Sequence, residues 1–141
     1  MQEALHFLTV RELADRLVTG AITSVDLTRM YLDRAEQLDP PPFDLPSEPR
    51  NDHDGKLSTM VTIARDHALE SAERADAELR AGRRRSILHG VPYGVKDLLD
   101  TDGIRTTWGS GIFRDRVPFR NAAVIDKLRE SGAVLMAKMS L

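Results

Sequence analysis

The sequence predicts an α/β fold, the start of a mixed or parallel sheet flanked by helices. Three observations lead there. Short apolar segments at 57–63, 91–96 and 133–137 have the length of strands and are separated by stretches of helical periodicity. Those stretches open on capping residues and close on glycines. Hydrophobic residues make up 41% of the 141 and charged residues 30%, a balance that can build one core in a chain of single-domain length.

Each element has its own signal. Thr9 and Glu12 have the spacing of a capping box, and Gly20 supplies the stop of a first helix whose Val10, Leu13, Leu17 and Val18 share a face. A second helix starts at Thr23 or Ser24, carries Asp26 in its first turn, continues through Leu27, Met30, Tyr31, Arg34 and Ala35, and ends at Asp39-Pro40. Residues 40–55 hold Pro40, Pro41, Pro42, Pro46 and Pro49, which predicts a proline-rich surface loop. Within it Asn51-Asp52-His53-Asp54-Gly55 has the residue types of a calcium loop. Counted from Asp52, however, Lys56 falls on the third ligand position and the glycine is misplaced, so a solvated turn is expected.

Leu57–Ile63 reads as a buried strand, followed by an amphipathic helix from about Asp66 to Leu79 with Gly82 as its stop. Arg83-Arg84-Arg85 reads as a solvated basic turn. Val91–Lys96 is a strand, because Pro92 is excluded from a helix interior and Val91, Tyr93 and Val95 alternate with Pro92, Gly94 and Lys96. A polar, turn-rich stretch at 97–118 leads to a helix at Ala122–Glu130, a stop at Gly132 and a third strand at Ala133–Ala137. This alternation implies parallel pairing through right-handed crossovers. Three strands are few for such a sheet, and Ser140-Leu141 follow directly on the last one, so the expectation is an incomplete fold, the front of a larger one.

Composition narrows the function. Twenty Lys and Arg against 22 Asp and Glu leave a charge of -2, which argues against nucleic-acid binding by bulk charge. With no cysteine, disulfides, thiolate metal sites and cysteine nucleophiles are excluded. His6, His53, His67 and His89 form no i, i+4 pair, so no metal site is expected. The acidic start lacks the pattern of a signal peptide, and the apolar run 133–137 is far below the ~20 residues of a membrane helix. A cytoplasmic protein without cofactor, metal or membrane contact is therefore expected.

Chemistry concentrates in the block from Leu88 to Asp100 and on to Ser110. Lys96 ends a strand, where ligands gather in parallel sheets, and Gly94 leaves room beside it. A lysine buried there would lose charge and become a base near neutral pH. The plainer reading of the same residues is an exposed Lys–Asp pair at a strand end. Gly90, Gly94 and Lys96 lack the spacing of a phosphate loop, and Gly109-Ser110-Gly111 lacks that of a nucleophile elbow.

The run Gly90-Val91-Pro92-Tyr93-Gly94-Val95-Lys96-Asp97, with Gly103, Thr106-Thr107, Gly109 and Ser110, resembles the amidase signature family of amide hydrolases and tRNA-dependent amidotransferase A subunits. The likeness extends to Leu8–Leu13, Thr23-Ser24, Tyr31-Leu32, Ala68–Gly82 and Gly132–Lys138, is interrupted by the proline-rich loop, and has Ala137-Lys138 where a Gly-Lys pair is common. The resemblance implies that residues 1–141 are the amino-terminal part of one amidase domain. It implies a nucleophilic serine, a second serine on a cis peptide, and Lys96 as catalytic lysine, with Asp97, Thr107 and Ser110 shaping the site. No Gly-Gly-Ser-Ser-Gly-Gly run occurs in these residues, so the chain alone is expected to be inactive. The implied partners are a small amide substrate, the remainder of the domain, and either a second copy or amidotransferase subunits. A non-catalytic truncated paralogue or interaction module is the competing reading. Tyr93 and Trp108 are candidates both for the acyl-pocket wall and for packing.

Overall fold

The computed structural model describes residues 5–39 and 59–140; the proline-rich stretch and the calcium-like run at 51–55 lie outside them. After a 3₁₀ turn at Leu5–Phe7, α1 spans Val10–Thr19 and α2 Ser24–Leu38. The Thr9–Glu12 capping box forms with both of its hydrogen bonds, and Gly20 closes α1 at φ 72°. Leu13, Ala14 and Leu17 are the buried face of α1, whereas Val10 and Val18 remain about half exposed, so the buried stripe is narrower than the apolar pattern.

Strand β1 spans Met60–Ile63, α3 Arg65–Arg80, β2 Pro92–Lys96, α4 Ala123–Glu130 and β3 Val134–Met139. The strand order is β1-β3-β2, with β3 in the middle. β2 runs parallel to β3, pairing Pro92 with Val134 and Lys96 with Met139, and α4 supplies the crossover between them. β1 runs antiparallel to β3, pairing Met60 with Met139 and Ile63 with Ala137, so the sheet is mixed. Parallel pairing is thus right for one pair and is corrected for the other. A short apolar run reads the same in both directions, and only the ladder it joins fixes its sense.

Among the described residues, three apolar clusters hold the elements together. Leu32 and Ala35 of α2 meet Ala68 and Ala72 of α3 over Val134 and Met136 of β3. The alanine face of α3 lets the helix lie close, and full burial of a residue such as Leu32 is worth roughly 2 kcal/mol. Leu13 and Leu17 of α1 pack on Leu27 and Val91. On the remaining side Val95, Ile104, Ile125 and Leu135 join α4 and the 97–107 segment to the sheet.

Polar ties cross the sequence. Asp76, buried in α3, accepts from the amides of Ser24 (2.7 Å) and Val25 (3.1 Å) at the start of α2. These amides have no partner within their own helix, and the negative charge suits that end of it. The basic turn is exposed, yet Arg85 bridges Glu78 and the Arg129 carbonyl (3.3 Å), which makes it a strut between α3 and α4.

Candidate active site

The expected site residues gather at the carboxyl end of β2. The parallel ladder continues one step past Lys96, where the Asp97 amide donates to the Met139 carbonyl at 2.9 Å. Leu99 N then donates to Lys96 O at 3.1 Å and turns the chain away from the sheet. At that turn Lys96 is exposed while Asp97 is fully buried. The strand alternation that places Val95 in the core directs Lys96 outward.

Asp97 and Thr107 are brought together. Asp97 Oδ2 accepts from Thr107 N (2.9 Å) and Thr107 Oγ1 (2.5 Å), and the Asp97 carbonyl accepts from Trp108 N (3.2 Å). Thr107 Oγ1 in turn accepts from Gly109 N at 3.2 Å. The other carboxylate oxygen, Asp97 Oδ1, is buried and has no hydrogen-bond partner among the described residues. Ser110 stands one turn further on: its amide donates to Thr107 O at 3.0 Å, and its Oγ accepts from Ile112 N. Ser110 is therefore linked to the clamp through backbone, and its hydroxyl caps the short 3₁₀ turn Gly111–Phe113.

Trp108 adopts φ 55°, a left-handed conformation that is rare outside glycine. Its indole N–H donates to Asp100 Oδ1 at 3.0 Å, the Arg116 guanidinium lies 4.2 Å above its ring, and Phe113 meets it edge-on at 5.3 Å. Arg116 also holds Asp100 through two hydrogen bonds, 2.8 and 2.6 Å, which keep that carboxyl below its ordinary pKa. Tyr93 packs against the Val95–Ile104–Ile125–Leu135 cluster, and burial pushes its phenol up to about 12. Tyr93 thus packs on the core while staying partly exposed, and Trp108 is partly open to solvent beside the clamp.

The buried lysine of this region is Lys138, at the far end of β3. Its Nζ donates to the Leu99 carbonyl and to the hydroxyls of Thr101 (3.0 Å) and Thr106 (2.9 Å). Burial pushes the amine down to about 8, against the attraction of Asp97 and Asp100. The sequence signal for it is a lysine continuing an apolar strand run, which by itself does not distinguish a buried amine from one reaching solvent. Among the described residues, no cluster of three or more histidines and carboxylates is placed to hold a metal ion, and no helix is long and apolar enough to cross a membrane.

The family model described as Amidase matches residues 50–141, the part of the chain that contains β2, the clamp and Lys138. This chain belongs to the amidase family. The A subunit of glutamyl-tRNA(Gln) amidotransferase from Heliobacterium modesticaldum is 36% identical over 137 residues, covering 97% of this chain and 25% of that protein. Among solved structures, the peptide amidase of Stenotrophomonas maltophilia superposes with a TM-score of 0.81 at 30% identity, covering 96% of this chain and 25% of that one. An amidase family protein from Bacillus anthracis superposes with a TM-score of 0.75 at 27% identity, covering 94% and 24%. This amidase-family chain therefore spans about a quarter of the length of the relatives it matches. The mixed sheet and its flanking helices are the part of the fold that those structures share.

Proposed function

We propose that these residues form the amino-terminal part of an amidase domain that cleaves small amides in the cytoplasm, and that they supply its lysine. In this reading the remainder of the domain covers the Lys96 amine, which these residues leave exposed. The uncharged amine takes a proton through a bridging serine on a cis peptide while a second serine attacks the amide carbonyl. The same amine returns the proton to the departing ammonia or amine, and backbone amides of the serine-bearing segment hold the oxyanion. The Gly/Ser-rich run that would carry both serines is not among these residues, so the 141-residue chain by itself is inactive. The supporting observation is the pairing of an exposed lysine at a sheet's carboxyl edge with a rigid Asp97–Thr107 clamp directly behind it, within the stretch that the family model matches. Asp97 and Thr107 shape the turn, and Ser110 extends it.

The test is ammonia release by the full-length polypeptide from a panel of primary amides. Lys96→Ala is expected to lower kcat by roughly 10²–10⁴-fold, the range of a lost acid–base group. Wild-type turnover in Lys96→Ala overturns the assignment, as does Lys96-dependent hydrolysis by the purified 141-residue chain. The similarity to amidotransferase A subunits supports a second reading, a glutaminase that passes ammonia on within a complex. Co-purification of the native protein with other subunits separates it from a free-standing hydrolase.

A further inference from the structure

Among the described residues Lys138 is the largest fully buried side chain, and the reading above leaves the purpose of its charge open. Removing an ammonium from water is costly unless every N–H finds an acceptor. Here all three do: the Leu99 carbonyl, Thr101 Oγ1 and Thr106 Oγ1. The acceptors are themselves oriented. Thr101 Oγ1 donates its own proton to Leu99 O at 3.2 Å, and Thr106 Oγ1 donates to Ile104 O at 3.0 Å, so both hydroxyls turn lone pairs toward the amine. A methionine of similar length would fill the space without the desolvation cost, so packing alone gives no reason for a charge here.

What the cage holds is one segment. Leu99, Thr101 and Thr106 all lie between Asp97 and Thr107, the two halves of the clamp. Lys138 faces Val95 in the parallel register, and the next residue of β3, Met139, pairs with Lys96 and accepts from the Asp97 amide. The end of β3 thus fastens the turn after β2 twice, through backbone at Met139 and through the amine at Lys138. The charged groups that act on that amine are Asp97, Asp100 and Arg116.

We infer that Lys138 is a positioning residue of the amide-hydrolysing site, bracing segment 97–107 so that the turn carrying Lys96 keeps its geometry toward the bound amide. The inference rests on the proposed role of Lys96. Because the brace touches no substrate, its loss is felt in turnover more than in substrate binding. Displacement of a reacting group by about an ångström can cost roughly a hundredfold in rate.

The experiment is steady-state kinetics of Lys138→Met in the full-length protein, with thermal unfolding measured alongside and Lys96→Ala assayed in parallel. The expected result is a kcat lowered roughly tenfold to a hundredfold with KM within about twofold of wild type, in a protein that still melts cooperatively well above the assay temperature. Unchanged kcat in Lys138→Met while Lys96→Ala is inactive overturns the inference and leaves the role of Lys96 standing. Activity in Lys96→Ala overturns the underlying reading instead. Should Lys138→Met fail to fold, Thr101→Val and Thr106→Val decide. Each deletes one acceptor at nearly constant shape; a fall in kcat at unchanged KM supports the brace, and wild-type kcat in both overturns it.

Discussion

Asp97 and Thr107, ten residues apart, are joined by two hydrogen bonds to a single carboxylate oxygen, 2.9 Å from the Thr107 amide and 2.5 Å from its hydroxyl. Both residues are fully buried, so neither bond is shared with water. Thr107→Val removes the hydroxyl and keeps the backbone bond. It is expected to destabilise the protein by about 1.5–3 kcal/mol, the range for a hydrogen bond to a charged group, and to lower amide turnover. Chemical denaturation and kcat at saturating amide check the two effects. A neutral result in both measurements removes the clamp from any role in the site.

Asp76 is expected to matter more than its place in the middle of α3 suggests. Asp76→Ala leaves the amides of Ser24 and Val25 without their acceptor, in a place water does not reach for Ser24. A loss of roughly 2–3 kcal/mol is expected from urea unfolding. Exposed Glu130, paired with Lys127 on the surface of α4, is the control, where substitution by Ala is expected to cost under about 1 kcal/mol.

His89 should impose a pH dependence on stability. Its Nδ1 accepts from Arg85 N at 2.9 Å, so the proton of the neutral ring sits on Nε2, 3.2 Å from Glu78 Oε2. Burial lowers its pKa below the ordinary 6.5, and Glu78 opposes the shift only in part. The unfolded chain therefore binds this proton more readily than the folded one. The contribution is fully present above the unfolded value and is lost as pH falls from there through the depressed folded value. Urea midpoints at about pH 7.5 and 5.5 should converge in His89→Gln relative to wild type. An undiminished difference in the variant assigns the slope to other groups.

Gly132→Ala and Gly103→Ala separate conformational strain from steric conflict. Both glycines have positive φ, 85° and 71°. A Cβ on Gly103 meets nothing within 4 Å, whereas on Gly132 it would lie 2.8 Å from His89 Cγ and 3.2 Å from His89 Cα. Gly103→Ala should cost only the left-handed penalty of about 1–2 kcal/mol. Gly132→Ala should cost a further roughly 1–3 kcal/mol, because the imidazole is already packed and hydrogen-bonded. Differential scanning calorimetry of the two variants reads the ranking.

Local signals carried far in this chain. Thr9, Glu12 and Gly20 delimit α1 because caps satisfy amides and carbonyls within a few residues of themselves. The apolar runs at 57–63, 91–96 and 133–137 coincide with the strands at 60–63, 92–96 and 134–139 apart from their ends, and the motif around Lys96 marked the turn after β2 and the family. What the pattern left undecided were the relations between distant segments. The sense of β1 depends on which side of β3 offers it a ladder. The cap on Ser24 comes from a carboxylate 52 residues away.

The same division holds for the two lysines. The sequence by itself determined that Lys96 ends a strand, and it ended the third strand at Ala137, one residue short of Lys138; the structure carries β3 on to Met139. Only the tertiary structure decided which of them is buried, because burial depends on whether other segments bring acceptors to the amine. Three oxygens of the 97–107 segment converge on Lys138 and none of that set on Lys96, so the desolvated ammonium lies in the brace and the exposed one at the edge of the sheet.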